Sequence, residues 1–184
     1  MVKNEYQYLT DQSLLSLWKE GDYKAFDTLF KRYYDGLFRY ASKSIPDRML
    51  VEELVMDVMM RVWKKSGQIA TPPGFKAYIL RALKNAILNH FRSNIPSTVP
   101  IDEHADDFTL QTNISADSKV LQEEIKEKYL AAISSLSDKK KEVFILSREE
   151  NLSYKEIAQV LNISVNTVEN YMSASLSHVR EKLK

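Results

Sequence analysis

The chain has no cysteine and only four glycines, Gly21, Gly36, Gly67 and Gly74. Without thiols it can form neither a disulfide framework nor a cysteine-ligated metal site. Its three histidines, His90, His104 and His178, are too scattered for a histidine-only metal cluster to be expected. No apolar run reaches the roughly 18 residues that a membrane span needs, so no membrane insertion is expected. The opening stretch MVKNEYQYLT lacks the apolar core of a secretory signal. A soluble, cytoplasmic protein is the expectation. Catalytic signatures are missing as well. There is no phosphate-cradling G-x-x-x-x-G-K-[ST] and no G-x-G-x-x-G. No Ser-His-Asp order stands out, and the pair Asp106–Asp107 falls in a stretch without periodicity. Neither an enzyme nor a cofactor is expected.

A further absence is one of charge sign. Between Asp57 and Asp102 there is no acidic residue, while Arg61, Lys64, Lys65, Lys76, Arg81, Lys84 and Arg92 all fall in that interval. The formal net charge of +1 hides this: residues 1–93 carry +5, residues 94–127 carry −6 and residues 128–184 carry +2. Such a pattern predicts a basic front, an acidic middle and a mildly basic end.

What is present is helical periodicity. Scarce glycine with abundant Leu, Lys, Glu and Ala favours an all-α protein. Apolar spacing predicts helices over DQSLLSLWKE, with Leu14, Leu15, Leu17 and Trp18 inside and Gly21 ending it. A second helix, over residues 22–45, has Phe26, Leu29, Phe30, Tyr33, Leu37, Phe38 and Ala41 in one stripe, interrupted by Pro46 and Asp47. A third, over 48–65, turns Val51, Leu54, Val55, Val58 and Val62 inward. SGQIATPPG (66–74) reads as a loop. A fourth helix, over 75–93, buries Phe75, Ile79, Leu83 and Ala86. Residues 94–117 lose all periodicity and read as an acidic, flexible linker. Helices resume over roughly 118–134, 138–148, 154–161 and 165–182. Two small helical domains follow, 1–93 and 118–184.

Three features carry chemistry. In YKEIAQVLNISVNTVENY (154–171), Ser153 and Glu156 form a capping-box pattern. Ile157, Ala158 and Leu161 form the first helix's apolar face. Asn162 sits where a left-handed residue is wanted, Ser164 can cap the next helix, and small Ala158 permits a close crossing. This is the logic of a helix-turn-helix, whose second helix enters the major groove. Asn166, Thr167, Asn170 and Ser173 are then candidate base or phosphate readers; the alternative is a helical hairpin with a solvated outer face. On the fourth helix, Arg81, Lys84, Asn85 and Arg92 share a basic face suited to a phosphate backbone. Trp63, Phe75, Tyr78 and Phe91 are interleaved there. Tyr78 is the aromatic expected outside the core, available to stack on an unpaired base. On the third helix Glu52, Glu53, Met56, Asp57 and Met60 lie off the inward stripe. Methionines among acids fit a protein partner with a basic, partly apolar surface; the alternative is an ordinary mixed surface helix.

The blocks DYKAFDTLFKRYYDGLFRYA, VEELVMDVMMRVW, FKAYILRALKNAILNHFR and LAAISSLSDKKKEVFILSREENLSYKEIAQVLNISVNTVENY come in that order. In this the chain resembles a sigma-70 family RNA polymerase sigma factor of the extracytoplasmic-function (ECF) group. The resemblance implies two helical domains, regions 2 and 4. Region 2 would grip a coiled coil of the polymerase β′ subunit through Glu52, Glu53, Met56, Asp57 and Met60. It would also recognise and melt the minus-10 element through Lys64, Lys65, Lys76, Tyr78, Arg81, Lys84, Asn85 and Arg92. Region 4 would contact the β flap and read the minus-35 element through Lys155, Ser164, Asn166, Thr167, Asn170 and Ser173. Partners implied are core RNA polymerase, double-stranded and melted promoter DNA, and an anti-sigma factor. Departures are visible too. The family's Glu-Asp-x-x-Gln on the third helix appears as Glu52-Glu53-Leu54-Val55-Met56. In the last helix Ala174-Ser175 replaces a common Lys-Ala, and Ser177 and His178 replace frequent basic residues. The implied minus-35 helix is poor in phosphate anchors.

Overall fold

The computed structural model describes residues 5–65, 74–93 and 120–183, the last without the side chains of 120–126. The expected linker (94–117) and most of the expected loop (66–73) lie outside the described residues. The chain divides into two compact units, Met1–Pro100 and Ile101–Lys184. Among the described residues there are eight α-helices and no strand. None of these helices is long and apolar enough to cross a membrane.

The first unit opens with a 3-10 turn, Glu5–Tyr8, followed by α1 (Asp11–Lys19), α2 (Tyr23–Ser42), α3 (Arg48–Lys64) and α4 (Phe75–Ser93). Each start has a local cause. Thr10, Asp22 and Asp47 each accept a backbone N–H at the head of α1, α2 and α3, which satisfies donors that the helix itself leaves open. Gly21, at φ 98°, supplies the left-handed turn between α1 and α2. α2 is the centre, packed against α1, α3 and α4. Its core stripe differs from the sequence expectation. Ala25, Phe26, Thr28, Leu29, Leu37, Tyr40 and Ala41 are buried, whereas Phe30, Tyr33 and Phe38 are only half-buried. A purely apolar count misses this rotation, because Thr28 enters the core by donating its hydroxyl to the Lys24 carbonyl (2.9 Å). Leu17 of α1 is likewise half-buried. On α3 and α4 all nine expected core residues are buried, with Met59, Ala77, Leu80 and Ile87 added.

The 3-10 turn has no buried residue and is held by polar contacts. Arg32 donates to Asp11 (2.5 Å), to the Leu9 carbonyl (2.9 Å) and to the Gln7 carbonyl (3.2 Å). Tyr33 also donates to Asp11, and Tyr6 donates to Asp22 (2.6 Å).

The second unit comprises α5 (Val120–Ser134), α6 (Asp138–Arg148), α7 (Tyr154–Leu161) and α8 (Val165–Lys182). α8 packs against α5, α6 and α7, with Val168, Met172, Ser175 and Val179 inward. Leu161, expected in the core, is half-buried, and Val160 is buried instead. Ile157 and Ala158 are buried as expected, so the departure is confined to the last turn of α7.

Candidate nucleic-acid and protein interfaces

The helix-turn-helix is built by three local devices. At the head of α7, Ser153 Oγ accepts the Glu156 N–H (3.4 Å), while Glu156 Oε2 accepts the Ser153 N–H (2.8 Å). This is the capping box expected from the sequence. At its end Asn162 adopts φ 55°, ψ 45°, and Ile163 N–H reaches back to the Ala158 carbonyl (3.0 Å). That bond closes a helix terminus around a left-handed residue. Ser164 then caps α8, its Oγ accepting the Thr167 N–H at 3.0 Å. Together these fix where α8 begins and how it leaves α7.

α8 presents Asn166, Glu169, Asn170, Ser173 and Ser177 as one exposed row, spaced i, i+3, i+4, i+7 and i+11. Glu169 was not singled out from the sequence, although it sits between the two asparagines; its carboxylate is a natural acceptor for a cytosine amino group. Thr167 is half-buried, with its hydroxyl 2.8 Å from Ser164 Oγ, so Ser164 and Thr167 serve the cap. Lys155 is exposed on α7. His178 is half-buried, its Nε2 lying 2.7 Å from Ser135 Oγ just past the end of α5. Ser175 is fully buried, and its hydroxyl donates to the Tyr171 carbonyl (2.7 Å), with the Lys140 carbonyl of α6 at 3.3 Å. Of the four departures on α8, Ser175 and His178 thus make contacts within their own unit, Ala174 is half-buried, and Ser177 stays on the exposed row.

On α4, Tyr78, Arg81, Asn85, Asn89 and Arg92 are all exposed and fall on one stripe about 21 Å long at 1.5 Å per residue. Asn89 was missed in the sequence; its signal was its i+4 spacing from Asn85. Lys84 is half-buried at the edge of this stripe. Lys76, also half-buried, sits roughly 140° around the helix from Arg81, off the face. Phe91 is as exposed as Tyr78, at 37%, so Tyr78 is not alone outside the core. Lys64 and Lys65 are exposed at the end of α3.

The third surface is a groove of about 340 Å³ between α2 and α3, lined by Tyr23, Phe26, Asp27, Phe30, Met56, Met59, Met60 and Trp63. Its floor is an aromatic cluster. Trp63 meets Phe26 edge-on at 4.7 Å and stacks with Tyr23 at 5.4 Å, and Trp18 lies 4.8 Å from Phe26. Met56 and Met60 are 44% and 50% exposed and Tyr23 is 68% exposed, so large apolar side chains stand open to solvent along the rim. Beside them, Glu53 and Asp57 are exposed and Glu52 half-buried. Glu52 pairs with Arg48 (3.2 Å), Asp57 with Arg61 (3.6 Å) and Asp27 with Lys31 (2.7 Å). These are solvent-exposed one-turn pairs, weak enough to be exchanged for a partner's cations. The groove's aromatic wall was not legible in sequence, where Phe26 and Phe30 look like core and Tyr23 like a helix end.

Two family models match the chain: Sigma-70 region 2 over residues 29–95, and Sigma-70, region 4 over residues 126–179. The chain belongs to the sigma-70 family. The first match covers most of α2 with α3 and α4, and the second covers the helix-turn-helix. The "ECF RNA polymerase sigma-E factor" of Haemophilus influenzae is 24% identical and aligned over 97% of both chains, and with it this sigma factor falls in the ECF group. Two solved structures share the fold. One is described as CnrH in complex with the cytosolic domain of CnrY (TM-score 0.62, 21% identity, 94% of this chain and 96% of that one). The other is the sigma factor RpoE in complex with the anti-sigma factor NepR from Bartonella quintana (TM-score 0.61, 19% identity, 87% and 97%). As a sigma factor, the protein binds core RNA polymerase and directs promoter-specific initiation; sigma factors are initiation factors, not enzymes.

Proposed function

We propose that this sigma factor divides initiation among the three surfaces. The α2/α3 groove, with Met56, Met60 and the acids Glu52, Glu53 and Asp57, docks on the β′ coiled coil of core polymerase. The α4 stripe, with Lys64 and Lys65 nearby, holds the minus-10 element: Arg81 and Arg92 neutralise phosphates, Asn85 and Asn89 offer paired hydrogen bonds, and Tyr78 stacks on an unpaired base. The α8 row of Asn166, Asn170 and Ser173, flanked by Lys155, reads the minus-35 element in the major groove. Residues 1–93 act as the core-binding and minus-10 part and residues 118–184 as the minus-35 part, which also meets the β flap. The work is done in the cytoplasm. An anti-sigma factor, the kind of partner bound by the Bartonella quintana relative, would act here by covering the groove or the basic stripe.

The observation that carries this reading is the open apolar groove. A helix-turn-helix regulator that binds operators alone has no need of an aromatic and methionine groove on a separate unit; a polymerase-docking factor has. α8 itself offers few anchors: of its exposed row none is cationic, so binding of the isolated factor to the minus-35 element is expected to be weak and to depend on polymerase. Pull-down of core polymerase followed by run-off transcription on genomic fragments tests the assignment. Asn170→Ala should relax base preference at one or two minus-35 positions, since a two-point contact contributes about 1–3 kcal/mol of discrimination. Arg81→Ala should weaken opening at all promoters and flatten its salt dependence. Unaltered selectivity and salt dependence in both variants would remove the proposal.

A further inference from the structure

We propose that Met49, Met56 and Met60 form an oxidation-sensitive patch, and that converting Met56 and Met60 to sulfoxides switches off docking on core polymerase. The docking half rests on the function proposed above; the oxidation half does not.

The chain has six methionines and no cysteine, so thioethers are its only sulfur. Four of the six lie within twelve residues of α3. Met49, Met56 and Met60 are 80%, 44% and 50% exposed, while Met59 on the same helix is 1% exposed and Met172 of α8 is 2% exposed. Spacings of seven and four residues place the exposed three within about 40° of one another along roughly 16 Å of helix. They therefore form a stripe, and two of them also line the groove beside the rings of Tyr23, Phe30 and Trp63.

The chemistry needs an oxidant of the hydroperoxide class. One oxygen atom passes to a sulfur lone pair, the O–O bond breaks, the thioether is oxidised by two electrons and hydrogen peroxide is reduced to water. The product carries a strong acceptor where an apolar, pliable side chain stood. The one ionised group lining the groove is Asp27, which accepts and does not donate. The Tyr23 hydroxyl and the Trp63 indole N–H on the lining are donors, but a partner closing over the groove would still have to strip water from two strong dipoles where it had met pliable apolar side chains, which weakens docking by about tenfold or more.

The test uses the full chain. After limited treatment with hydrogen peroxide, peptide mass mapping should find oxidation at Met49, Met56 and Met60 ahead of Met59 and Met172. Oxidised protein titrated against core polymerase should bind about tenfold more weakly, and treatment with methionine sulfoxide reductases A and B should restore the affinity. In the double variant Met56→Leu/Met60→Leu the ratio of unoxidised to oxidised affinity should fall from about ten to about one, whatever its starting affinity. Oxidation of Met56 and Met60 no faster than of Met59, or equal binding before and after oxidation, would overturn the switch alone. Failure of the untreated chain to bind core polymerase would overturn the docking assignment, and the switch with it.

Discussion

Asn162 offers the sharpest test of how the helix-turn-helix is held. It sits at φ 55°, ψ 45°, where a Cβ-bearing residue costs roughly 1–2 kcal/mol and a β-branched one lies outside the comfortable range. Asparagine tolerates the conformation best after glycine. Asn162→Gly should therefore leave stability within a few tenths of a kcal/mol, whereas Asn162→Val should cost about 2 kcal/mol. For a unit of this size that corresponds to a fall of about 8–16 °C in the melting transition of the second unit. Asn151, at φ 52° in the turn after α6, is the control. Its φ is likewise positive, but it does not set the entry of α8. Asn151→Val should lower the melting temperature by a similar amount. The two valine variants should part company in holoenzyme run-off transcription below both melting transitions. Asn162→Val should lose activity on promoters that depend on the minus-35 element, and Asn151→Val should keep it. Thermal unfolding followed by circular dichroism gives the first readout. An Asn162→Val protein that melts within a degree or two of the parent would refute the backbone argument. Equal transcription losses in the two valine variants would refute the claim that this turn aims α8.

The N-terminal strap gives two more predictions. Tyr6 donates to Asp22, and that bond, ahead of the Lys24 and Ala25 amides, holds the Asp22 carboxyl below the usual carboxylate range. A depressed acid stabilises the fold above its ordinary pKa and loses that contribution as pH falls through the lowered value. Tyr6→Phe should therefore flatten the acid limb of the stability–pH curve; an unchanged limb would contradict the linkage. The Tyr6 hydroxyl is raised by the same bond, so its contribution is present below the ordinary tyrosine pKa and lost only in alkali. Arg32 makes two contacts to the segment before α1, at the Gln7 and Leu9 carbonyls, and one to Asp11 at the head of α1. Arg32→Ala should cost about 1 kcal/mol, discounted for partial exposure, and should speed proteolysis near Gln7 and Leu9. Equal cleavage rates in variant and parent would count against that role.

Much of the fold was legible because helices are local objects. Cap residues, left-handed asparagines and breakers such as Gly21 act within a few positions, so the boundaries of α1 to α4 and α6 to α8 could be read closely. The capping box of α7, the Asn162 turn and the Ser164 cap followed from sequence for that reason. Misassigned residues were those whose burial depends on a neighbour's angle. Phe30, Tyr33 and Phe38 share an apolar stripe with Leu29 and Leu37, yet only the rotation of α2 between α3 and α4 decides which of them the core takes.

The candidate surfaces divide in the same way. The sequence by itself determined that the chain is all-α, that an acid-free basic stretch runs through α4, and that α8 begins with a capped row of amides, because periodicity and charge are properties of single segments. Only the tertiary structure decided that Tyr23, Phe30 and Trp63 join Met56 and Met60 in one open groove. It alone gave Ser175 and His178 of α8 contacts within their own unit. Those outcomes depend on which two helix faces meet, and that is settled by packing between segments distant in the chain.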